Sequence, residues 1–389
     1  MGQGSERMVD DHEKATQYLY ELALKLLEWG GSDIFVTAGS PPALKVNQLV
    51  QRLGGQKLKP QQTMLLVRSI MNDRQAREFE QHHEINFSLN FPDVARFRVS
   101  AFTQRGSAGM VLRLIQQKIP TIEELHLPPI LQDIAMTQRG LVIFLGGTGC
   151  GKTTSMAAMV DYRNSQCQEH IITIEDPIEF FHQHKQCLVD QREVGTDTES
   201  YELALKNTLR QSPNVILIGE VRDRETMQAA INFAETGHLC LTTLHANNTD
   251  QAFDRIINFF SEEKRAQVLM DLSFNVKAFI SQRLLPSEDR PGLVPAVEIL
   301  LNTPLMAELI FQGRVKEIKS LMARSGEQGI VTFDDALFNL YESGRISYEA
   351  AIRHADSANN LRLRIKLESR RPPPRTAESH LQVQENHKR

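Results

Sequence analysis

The sequence predicts an α/β protein in which an antiparallel amino-terminal sheet precedes a mainly parallel sheet. Two segments near the amino terminus alternate strictly between apolar and polar residues, as strands with one solvated face do. Further along, near-continuous apolar runs alternate with helical stretches, which is typical of parallel strands buried on both faces. A glycine-rich loop pattern directly follows the first of those runs. Because 389 residues exceed one ordinary core, we expect two or three domains.

The composition narrows the class of protein and its compartment. Hydrophobic residues make up 41% of the chain and the net charge is -4, so no global charge attracts nucleic acid or anionic lipid. No stretch reaches the roughly 18 apolar residues of a membrane span, and we find no signal-peptide core, so we expect a cytoplasmic protein. The cysteines Cys150, Cys167, Cys187 and Cys240 form no CxxC pair. We therefore expect reduced thiols and no zinc site.

The first domain is predicted over residues 1–118. Apolar residues at helical spacing predict a helix over 18–29, and the glycines that follow end it. From there to about residue 118 the signal is mostly strand. The segments 85–91 and 95–102 alternate most strictly, so each is expected to bury one face in an antiparallel sheet.

Arginines are displayed on this predicted sheet. Alternation places Arg96 and Arg98 on the face opposite the apolar residues of their strand. In the next predicted strand, Arg113 shares its face with Val111 and Ile115, so we expect this charge to lie among apolar neighbours. A solvated surface or a core ion pair would explain these arginines as well as a functional role would.

A second domain is predicted over residues 126–368, after a linker over 119–125 whose proline spacing indicates an ordered connection. The apolar runs that predict its strands are 141–146, 170–176, 214–220 and 238–245. A helical region is expected from about residue 249 onward. Residues 369–389 are proline-rich and polar, so we predict a disordered tail there.

The loop pattern at 146–153 reads GGTGCGKT and fits G-x-x-x-x-G-K-[ST]. Glycines let backbone N–H groups converge on phosphate at a helix N-terminus. Lys152 is then expected to reach the β- and γ-phosphates of a nucleotide, and Thr153 to offer its hydroxyl to Mg²⁺. The predicted nucleotide-binding residues are Gly146, Gly147, Thr148, Gly149, Cys150, Gly151, Lys152, Thr153 and Thr154.

Two later apolar runs end in carboxylates, which places these groups where open α/β sheets bind ligands. Glu220 is the candidate for holding Mg²⁺ through water, and an interface salt bridge with a neighbouring arginine is the alternative. Glu175 is the candidate for the base that activates water in phosphoryl transfer. A helix N-cap, mostly through Asp176, is the alternative for that acidic pair.

Histidines flank the last apolar run. Along an unbroken strand, His238 and His245 would lie roughly 23 Å apart at about 3.3 Å per residue and face opposite sides, so they cannot both meet one γ-phosphate. His245, at the carboxyl end, is the candidate γ-phosphate sensor. His238 is expected to be structural or to lie at a subunit contact.

The motifs GGTGCGKTT, IEDPIEF, VILIGEVRD and TGHLCLTTLHAN occur in this order. With these motifs and their spacing, the chain resembles the bacterial secretion and type IV pilus ATPases over nearly its whole length. Assembly and type II secretion members carry a long amino-terminal extension and usually a four-cysteine insert, and we find neither here. The chain is therefore more similar to the retraction branch, the PilT/PilU family. Its segment NTPLMAELIFQGRVKEIKSLMARSGEQGIVTFDDAL is closer to the PilU type.

The resemblance implies a fold, a site and partners. The fold would be a PAS-like α+β amino-terminal domain followed by a RecA-like P-loop ATPase domain, assembled as a homo-hexameric ring with ATP and Mg²⁺ as cofactors. Glu175 takes the catalytic-base position and Glu220 the Walker B position. Arg98 and Arg113 match the paired arginine fingers. The protein would work at the inner-membrane base of the pilus, beside a platform protein and a second, PilT-type ATPase.

The function implied by the resemblance is an ATP-hydrolysing motor subunit that drives pilus retraction, as an accessory to the second ATPase. Two other classes of function stay open from the sequence. A DNA-translocating ring shares the core, although 6% aromatics and the net charge offer no stacking or basic track, so no nucleic acid partner is expected. A nucleotide-binding regulatory subunit with little turnover is the other, and the intact Lys152, Glu175 and Glu220 argue against it.

Overall fold

The computed structural model describes residues 2–47, 49–92, 94–115, 118–325 and 329–371. The predicted tail lies outside the described residues from 372 onward.

The chain divides into two compact units, each described by itself below. The first unit comprises Met1–Ile119, Asp176–Gln183 and Gln191–Leu203, and the second comprises Pro120–Glu175, His184–Asp190 and the chain from Ala204 onward. Two segments of the predicted second domain, 176–183 and 191–203, therefore group with the first unit. The predicted linker over 119–125 belongs almost wholly to the second unit, where Ile122 and Leu127 are buried in the apolar core.

The first unit is built on a six-stranded sheet. Its helices are α1 (Gly2–Glu28), α2 (Pro60–Arg68) and α3 (Asp73–His82). Its strands are β1 (Asp33–Val36), β2 (Ala43–Val46), β3 (Leu49–Arg52), β4 (Glu84–Phe91), β5 (Ala95–Gln104) and β6 (Ser107–Ile115). The strand order is β3-β2-β1-β6-β5-β4, and every neighbouring pair is antiparallel. The prediction of an antiparallel amino-terminal sheet is confirmed.

Helix α1 forms because its apolar residues recur at helical spacing and bury one face against this sheet. Leu19, Ala23 and Leu26 are fully buried, as are Phe97 of β5 and Leu112 of β6 in the same core. Full burial stabilises a side chain of this size by about 1.5–3 kcal/mol. The predicted helix over 18–29 is thus confirmed, and the observed helix begins much earlier.

Helices α2 and α3 correct the sequence prediction, which expected mostly strand in this part of the chain. Helix α2 begins with Pro60 at its first position. Helix α3 begins with a capping box, in which Asn72 accepts from the backbone N–H of Gln75 and the Gln75 side chain accepts from the backbone N–H of Asn72. Each helix buries only three side chains, of which one is polar, so few apolar residues mark these helices in the sequence.

The second sheet is seven-stranded, with the order β13-β12-β7-β11-β10-β8-β9. Its strands are β7 (Gly140–Leu145), β8 (His170–Glu175), β9 (Leu188–Glu193), β10 (Val215–Ile218), β11 (Leu239–Leu244), β12 (Val276–Pro286) and β13 (Leu293–Leu301). The first helices of this part are α4 (Ile130–Ala135), α5 (Lys152–Gln166), α6 (Tyr201–Thr208), α7 (Arg224–Glu235), α8 (Thr249–Asn258) and α9 (Glu262–Asn275). The later helices are α10 (Pro304–Phe311), α11 (Ile318–Met322), α12 (Phe333–Glu342), α13 (Tyr348–His354) and α14 (Ala358–Glu368).

The strands β7, β11, β10 and β8 are parallel neighbours and are almost entirely buried. They coincide with the four apolar runs, so the prediction of a parallel sheet wound by helices is confirmed. In a parallel sheet the carboxyl ends of the strands meet at one edge, where ligands bind. Residues that directly follow these four strands therefore lie along the same edge.

Strands β12 and β13 correct a second prediction, because the region after residue 249 was expected to be helical. Strand β12 runs parallel to β7 and antiparallel to β13, which forms an edge of the sheet. Both faces of β12 are covered, so its apolar residues do not alternate with polar ones. Pro295 lies in β13, and an edge strand tolerates proline.

Helices α12–α14 form an apolar cluster with the carboxyl end of β12 and the amino end of β13, which lie side by side. Phe333 and Leu337 of α12 are buried there with Leu285 of β12. Arg283 of β12 also joins this cluster, because its guanidinium lies 3.8 Å from the centre of the Phe333 ring and 2.9 Å from Oδ1 of Asp356. The carboxyl-terminal helices are thus attached to β12 by apolar packing and by an ion pair.

The cysteine thiols and the hydropathy of the helices bear on the two expectations from composition. All four cysteines are free, and burial raises the pKa of both Cys187 and Cys240, which lowers the reactivity of these two thiols. Among the described residues, we find no helix that is both long and apolar enough to cross a bilayer.

Candidate functional site

The candidate phosphate loop, residues 146–151, connects the buried strand β7 to helix α5. Gly146, Gly149 and Gly151 adopt φ values of 147°, 77° and 88°, which glycine alone reaches readily. Residues 147–149 are exposed. A glycine loop that leads into a helix N-terminus presents backbone N–H groups to an anion, so the loop has the form of a phosphate site.

Lys152, the first residue of α5, folds its side chain back into this loop. Its Nζ donates to the carbonyl oxygen of Gly146 at 2.8 Å and to that of Gly147 at 2.9 Å. The residue is only 7% exposed, and its charge is compensated by these carbonyls. The Sγ of Cys150 lies 4.0 Å from the same nitrogen. The ammonium group is therefore already placed inside the predicted phosphate cradle.

Glu175 lies at the carboxyl end of β8, on the same sheet edge as the loop. The residue is 7% exposed, and its Oε1 accepts a hydrogen bond of 2.6 Å from the Thr173 hydroxyl. The hydroxyl of Thr173 fixes the carboxylate without neutralising it. A buried carboxylate held in this way can orient a water molecule and accept its proton.

Glu220 follows β10 and is contacted by two cationic or potentially cationic side chains. Its Oε2 lies 3.0 Å from Nε2 of His245, and its Oε1 accepts from the Arg222 guanidinium. Glu220 therefore forms a salt bridge with an arginine two residues away in its own chain. A carboxylate offers about four acceptor positions, so these two contacts leave Glu220 able to bind water as well.

The two histidines lie at opposite ends of β11, as their spacing predicts. His245 follows the strand and contacts Glu220, whereas His238 precedes it. The Nδ1 of His238 lies 3.1 Å from the Thr236 hydroxyl and 3.2 Å from the Phe233 carbonyl, at the end of α7. The structure thus brings His245 together with an acidic residue of the candidate site and gives His238 local helix-end contacts.

The two arginines that match arginine fingers lie directly opposite each other in the first unit, since Arg98 of β5 pairs with Arg113 of β6. Arg98 Nη2 is 4.0 Å from Oε1 of Glu179, in the segment that groups with this unit. Arg113 Nε donates to Oδ1 of Asp33 at 2.8 Å. Both guanidinium groups lie on one face of the sheet, and each has an acidic partner.

The surroundings predicted for Arg113 are only partly observed: Ile115 on the same face is buried, but the charged group itself is not enclosed by apolar neighbours. The Arg113 side chain is 63% exposed, while the buried face of β6 carries Met110 and Leu112. Val111, on the same face as Arg113, is only partly buried. The buried carboxylate of Asp33 holds one nitrogen of the guanidinium, so the rest of the group is available to solvent or to a partner.

Gln282 of β12 is a site residue that sequence reasoning missed. Its side-chain Oε1 accepts a hydrogen bond of 2.7 Å from the Ser155 hydroxyl in α5. It was missed because β12 was expected to be helical, and only strand pairing brings residue 282 to the loop. A strand-compatible segment rich in β-branched and aromatic residues before Gln282, VKAFIS, was the available signal.

The candidate metal ligands are all oxygen donors. Thr153 supplies a hydroxyl in the first turn of α5, and Glu220 supplies a carboxylate that already takes part in hydrogen bonds. Mg²⁺ prefers oxygen ligands and usually keeps several waters, binding through one or two side chains plus substrate phosphates. No cluster of three or more His, Cys, Asp or Glu side chains suited to a metal occurs in the described part of the chain. These residues fit Mg²⁺ bound in the company of a nucleotide.

An apolar cleft opens beside the loop. It has a volume of about 230 Å³ and is bordered by Gly151 and Thr154 of the predicted nucleotide-binding residues. Leu125, Leu127 and Leu284 supply much of its apolar wall. A flat, mostly apolar group attached to phosphates could enter this cleft while the phosphates lie on the loop.

Comparison with known proteins identifies the family. The family model described as "Type II/IV secretion system protein" matches residues 9–315. The chain belongs to this family. Among its curated relatives is the Type IV pilus ATPase PilU of Pseudomonas aeruginosa, with 58% identity over 351 residues, 90% of this chain and 92% of the relative. The pilus retraction ATPase PilT of the same organism is 42% identical over 85% of this chain and 96% of its own.

A solved structure agrees with these family members. The pilus retraction motor PilT with bound ADP superposes with a TM-score of 0.83 at 36% identity, covering 88% of this chain and 98% of that one. The predicted fold class, a PAS-like domain followed by a RecA-like ATPase domain, is confirmed. The resemblance of this chain to the pilus ATPases of the PilT/PilU type is confirmed as well.

Proposed function

We propose that this chain is an ATP-hydrolysing motor subunit of type IV pilus retraction that acts beside a second, PilT-type ATPase. The observation that carries the proposal is the sheet edge along which the phosphate loop, Glu220 and Glu175 all lie, each at the carboxyl end of a parallel strand. Such an edge supplies what nucleotide hydrolysis needs, namely a phosphate cradle, a proton acceptor and oxygen ligands.

Nucleotide binding falls to the loop and the cleft beside it. The backbone N–H groups of residues 146–154 bind the phosphates, and Lys152 moves from the Gly146 and Gly147 carbonyls toward them. The apolar cleft next to Gly151 receives the adenine base. Binding therefore exchanges carbonyl contacts of the ammonium group for stronger, charge-assisted contacts with phosphate.

Hydrolysis falls to Glu175. Its carboxylate orients the attacking water and accepts a proton from it, while the Thr173 hydroxyl holds Oε1 in place. Burial of the residue keeps competing water away from that oxygen. Mg²⁺, when bound, neutralises charge on the β- and γ-phosphates. Thr153 and Glu220 would hold the ion, Glu220 through water.

His245 senses the nucleotide through Glu220. The contact of 3.0 Å between its Nε2 and Glu220 Oε2 ties the loop after β11 to the carboxylate after β10. A γ-phosphate that interacts with His245, or with the ion held by Glu220, changes the contact between these two side chains. His245 thereby couples the presence of the γ-phosphate to the segment that follows β11.

Arg98 and Arg113 act as arginine fingers in a homo-hexameric ring. Their guanidinium groups lie side by side on one sheet face, and Arg113 is largely exposed. In such a ring these groups stabilise the charge that develops on the γ-phosphate. The chain works in the cytoplasm at the inner-membrane base of the pilus, docked on the platform protein, and takes no nucleic acid partner.

Two experiments test the proposal. Steady-state phosphate release should show ATP turnover by the purified protein and its loss in Lys152→Ala. Deleting the gene in a piliated host should impair retraction. Deleting the PilT-type gene by itself shows whether this motor works alone, and the double deletion gives the baseline. Stable nucleotide binding without turnover would instead support a regulatory subunit.

A further inference from the structure

Strand β12 extends beyond the end of β7 and continues beside the phosphate loop. Ser281 lies opposite Leu145, the last residue of β7, so Gln282 comes level with Gly146, where the loop begins. The carbonyl oxygen of Gln282 lies 2.8 Å from the position that a Cβ on Gly146 would take. The backbone of β12 therefore packs closely against the start of the loop.

The side chain of Gln282 reaches the other end of the same loop. Its Oε1 accepts a hydrogen bond of 2.7 Å from the Ser155 hydroxyl, in the first turn of α5. Its Nε2 lies 2.6 Å from the position of a Cβ on Gly151. Gln282 is 3% exposed and Ser155 is 1% exposed, so this hydrogen bond is shielded from water and correspondingly strong.

The loop glycines consequently fall into two groups. A Cβ on Gly151 would collide with the Gln282 side chain, and a Cβ on Gly146 would collide with the Sγ of Cys150 and with the Gln282 carbonyl oxygen. A Cβ on Gly147 or Gly149 would meet no heavy atom within 4 Å. Gly151 is thus required by the Gln282 side chain, and Gly146 by the Gln282 backbone together with Cys150 of the loop. The other two lie in the exposed middle of the loop, where a ligand can approach. One residue thus holds the loop at both ends and leaves its centre open.

We propose that Gln282 is a positioning residue for nucleotide binding, which holds the phosphate loop in the shape that binds phosphate. This inference rests on the proposed nucleotide role of the loop. Without Gln282 the loop samples other shapes, and the apparent affinity for nucleotide falls by the fraction of molecules that keep the competent one. Gln282 does not lie among the groups that transfer the proton, so turnover at saturating ATP is preserved.

The test compares Gln282→Leu and Ser155→Ala with the wild type, using mant-ATP and Mg²⁺ for binding and phosphate release for kinetics. Both variants should raise Kd and KM about tenfold while kcat changes by less than about twofold, as expected when uniform binding is lost. Ser281→Ala is the matched control. Ser281 is also buried on β12, but its hydroxyl donates to Glu298 on the opposite face. This control should leave Kd unchanged.

The outcomes separate this inference from the proposed function. If folded Gln282→Leu binds mant-ATP with the wild-type Kd, Gln282 does not position the loop. A fall in kcat at unchanged KM overturns the inference as well. Should Gln282→Leu fail to fold, Ser155→Ala decides, because it removes the same hydrogen bond from the other side. If the wild-type protein itself neither binds nor hydrolyses ATP, the proposed function fails.

Discussion

Glu175 is buried at the end of β8, where Thr173 donates to its carboxylate. Glu175→Gln keeps the size of the side chain and an acceptor for that hydrogen bond, but an amide cannot take a proton from water. Turnover should fall by at least about 10²–10⁴ while mant-ATP binding persists. Phosphate release measured beside a binding titration checks this. Asp190→Asn, which neutralises a largely exposed acid paired with His170, is the control. Near wild-type hydrolysis would exclude Glu175 as the base.

Cys150 lies within the phosphate loop and is partly exposed, with its Sγ 4.0 Å from the Lys152 ammonium. A thiol beside a helix N-terminus and a lysine is favoured to react, and bound nucleotide would cover it. N-ethylmaleimide should therefore inactivate the nucleotide-free protein, and Mg-ATP should slow labelling at least about tenfold. Cys150→Ser should remain active and become insensitive. Peptide mass spectrometry gives the measurement, with partly exposed Cys167 as the internal reference. Equal labelling of Cys150 in both states would contradict this.

Single residues could be predicted where their role is written into a local motif. The loop glycines, Lys152 and Thr153 follow one another in the chain, so their joint chemistry is readable without a fold. Gln282 could not be predicted in this way, because its partner Ser155 lies far away in sequence and only the pairing of β12 with β7 brings them together. For the same reason the acidic partner of Arg113 emerged only from the structure.

At the level of elements, β12, β13 and α8 enclose the carboxyl group of Glu298. Its Oε1 accepts hydrogen bonds from the hydroxyls of Thr249 and Ser281, while the buried Oε2 has no hydrogen-bond partner among the described residues. Burial raises the pKa of Glu298 above its ordinary value; nearby Lys319 opposes this shift and Asp356 reinforces it. The charged form of this carboxyl group is therefore disfavoured in the folded protein.

Glu298→Gln should make the protein less sensitive to rising pH. Because the folded state holds the Glu298 proton more tightly than the unfolded state, wild-type stability falls as pH rises from the ordinary glutamate pKa of about 4.3 to the raised one. The glutamine variant does not ionise. The difference between its melting temperature and that of the wild type should therefore increase in favour of the variant as pH rises through this window, and stay constant at higher pH. Thermal unfolding between about pH 4 and pH 8 measures the difference.

Glu317→Gln is the control for this pH dependence. The carboxylate of Glu317 is half-exposed, and its hydrogen bond with Arg314 lowers its pKa. Its contribution to stability is present above the ordinary pKa and is lost as pH falls, so the sign of the effect is opposite, and solvent screening keeps the effect small. A Glu298→Gln curve parallel to the wild type would contradict the assignment of a raised pKa.

Elements were predictable where one physical pattern dominates. Helix α1 has a clear apolar face, and β7 is a continuous apolar run before a glycine loop. Helices α2 and α3 were not predicted because few of their side chains are buried. Strand β12 was not predicted because partners on both faces cover it, and one of those partners is the carboxyl-terminal cluster that only the completed fold assembles.

At the scale of the proposed ring, Arg113 of one subunit would act on the nucleotide bound by its neighbour. This model predicts that two kinds of inactive subunit restore ATP hydrolysis when they are mixed. Arg113→Ala lacks a finger and Lys152→Ala lacks the phosphate lysine, so a mixed ring contains some sites in which both residues are intact. Random mixing should restore activity to a fraction of the wild type that exceeds either parent. Phosphate release by rings verified as mixed is the measurement.

The control mixture combines Lys152→Ala with Glu175→Gln. Both residues belong to the second unit and to one chain's own site, so mixing these subunits creates no site with both intact. No rescue is expected. Rescue in this control, or its absence in the Arg113→Ala mixture, would contradict the model of a finger in trans.

Strand β12 places Gln282 against the phosphate loop on one face and Arg283 against Phe333 and Asp356 on the other. Adjacent residues of a strand are joined by a planar peptide and cannot move apart, so a displacement felt at one side chain is felt at the next. One peptide unit of β12 therefore links the phosphate loop to helices α12–α14. A shift of the loop that displaced Gln282 would thus also displace Arg283 and reach the carboxyl-terminal helices through its contacts with Phe333 and Asp356.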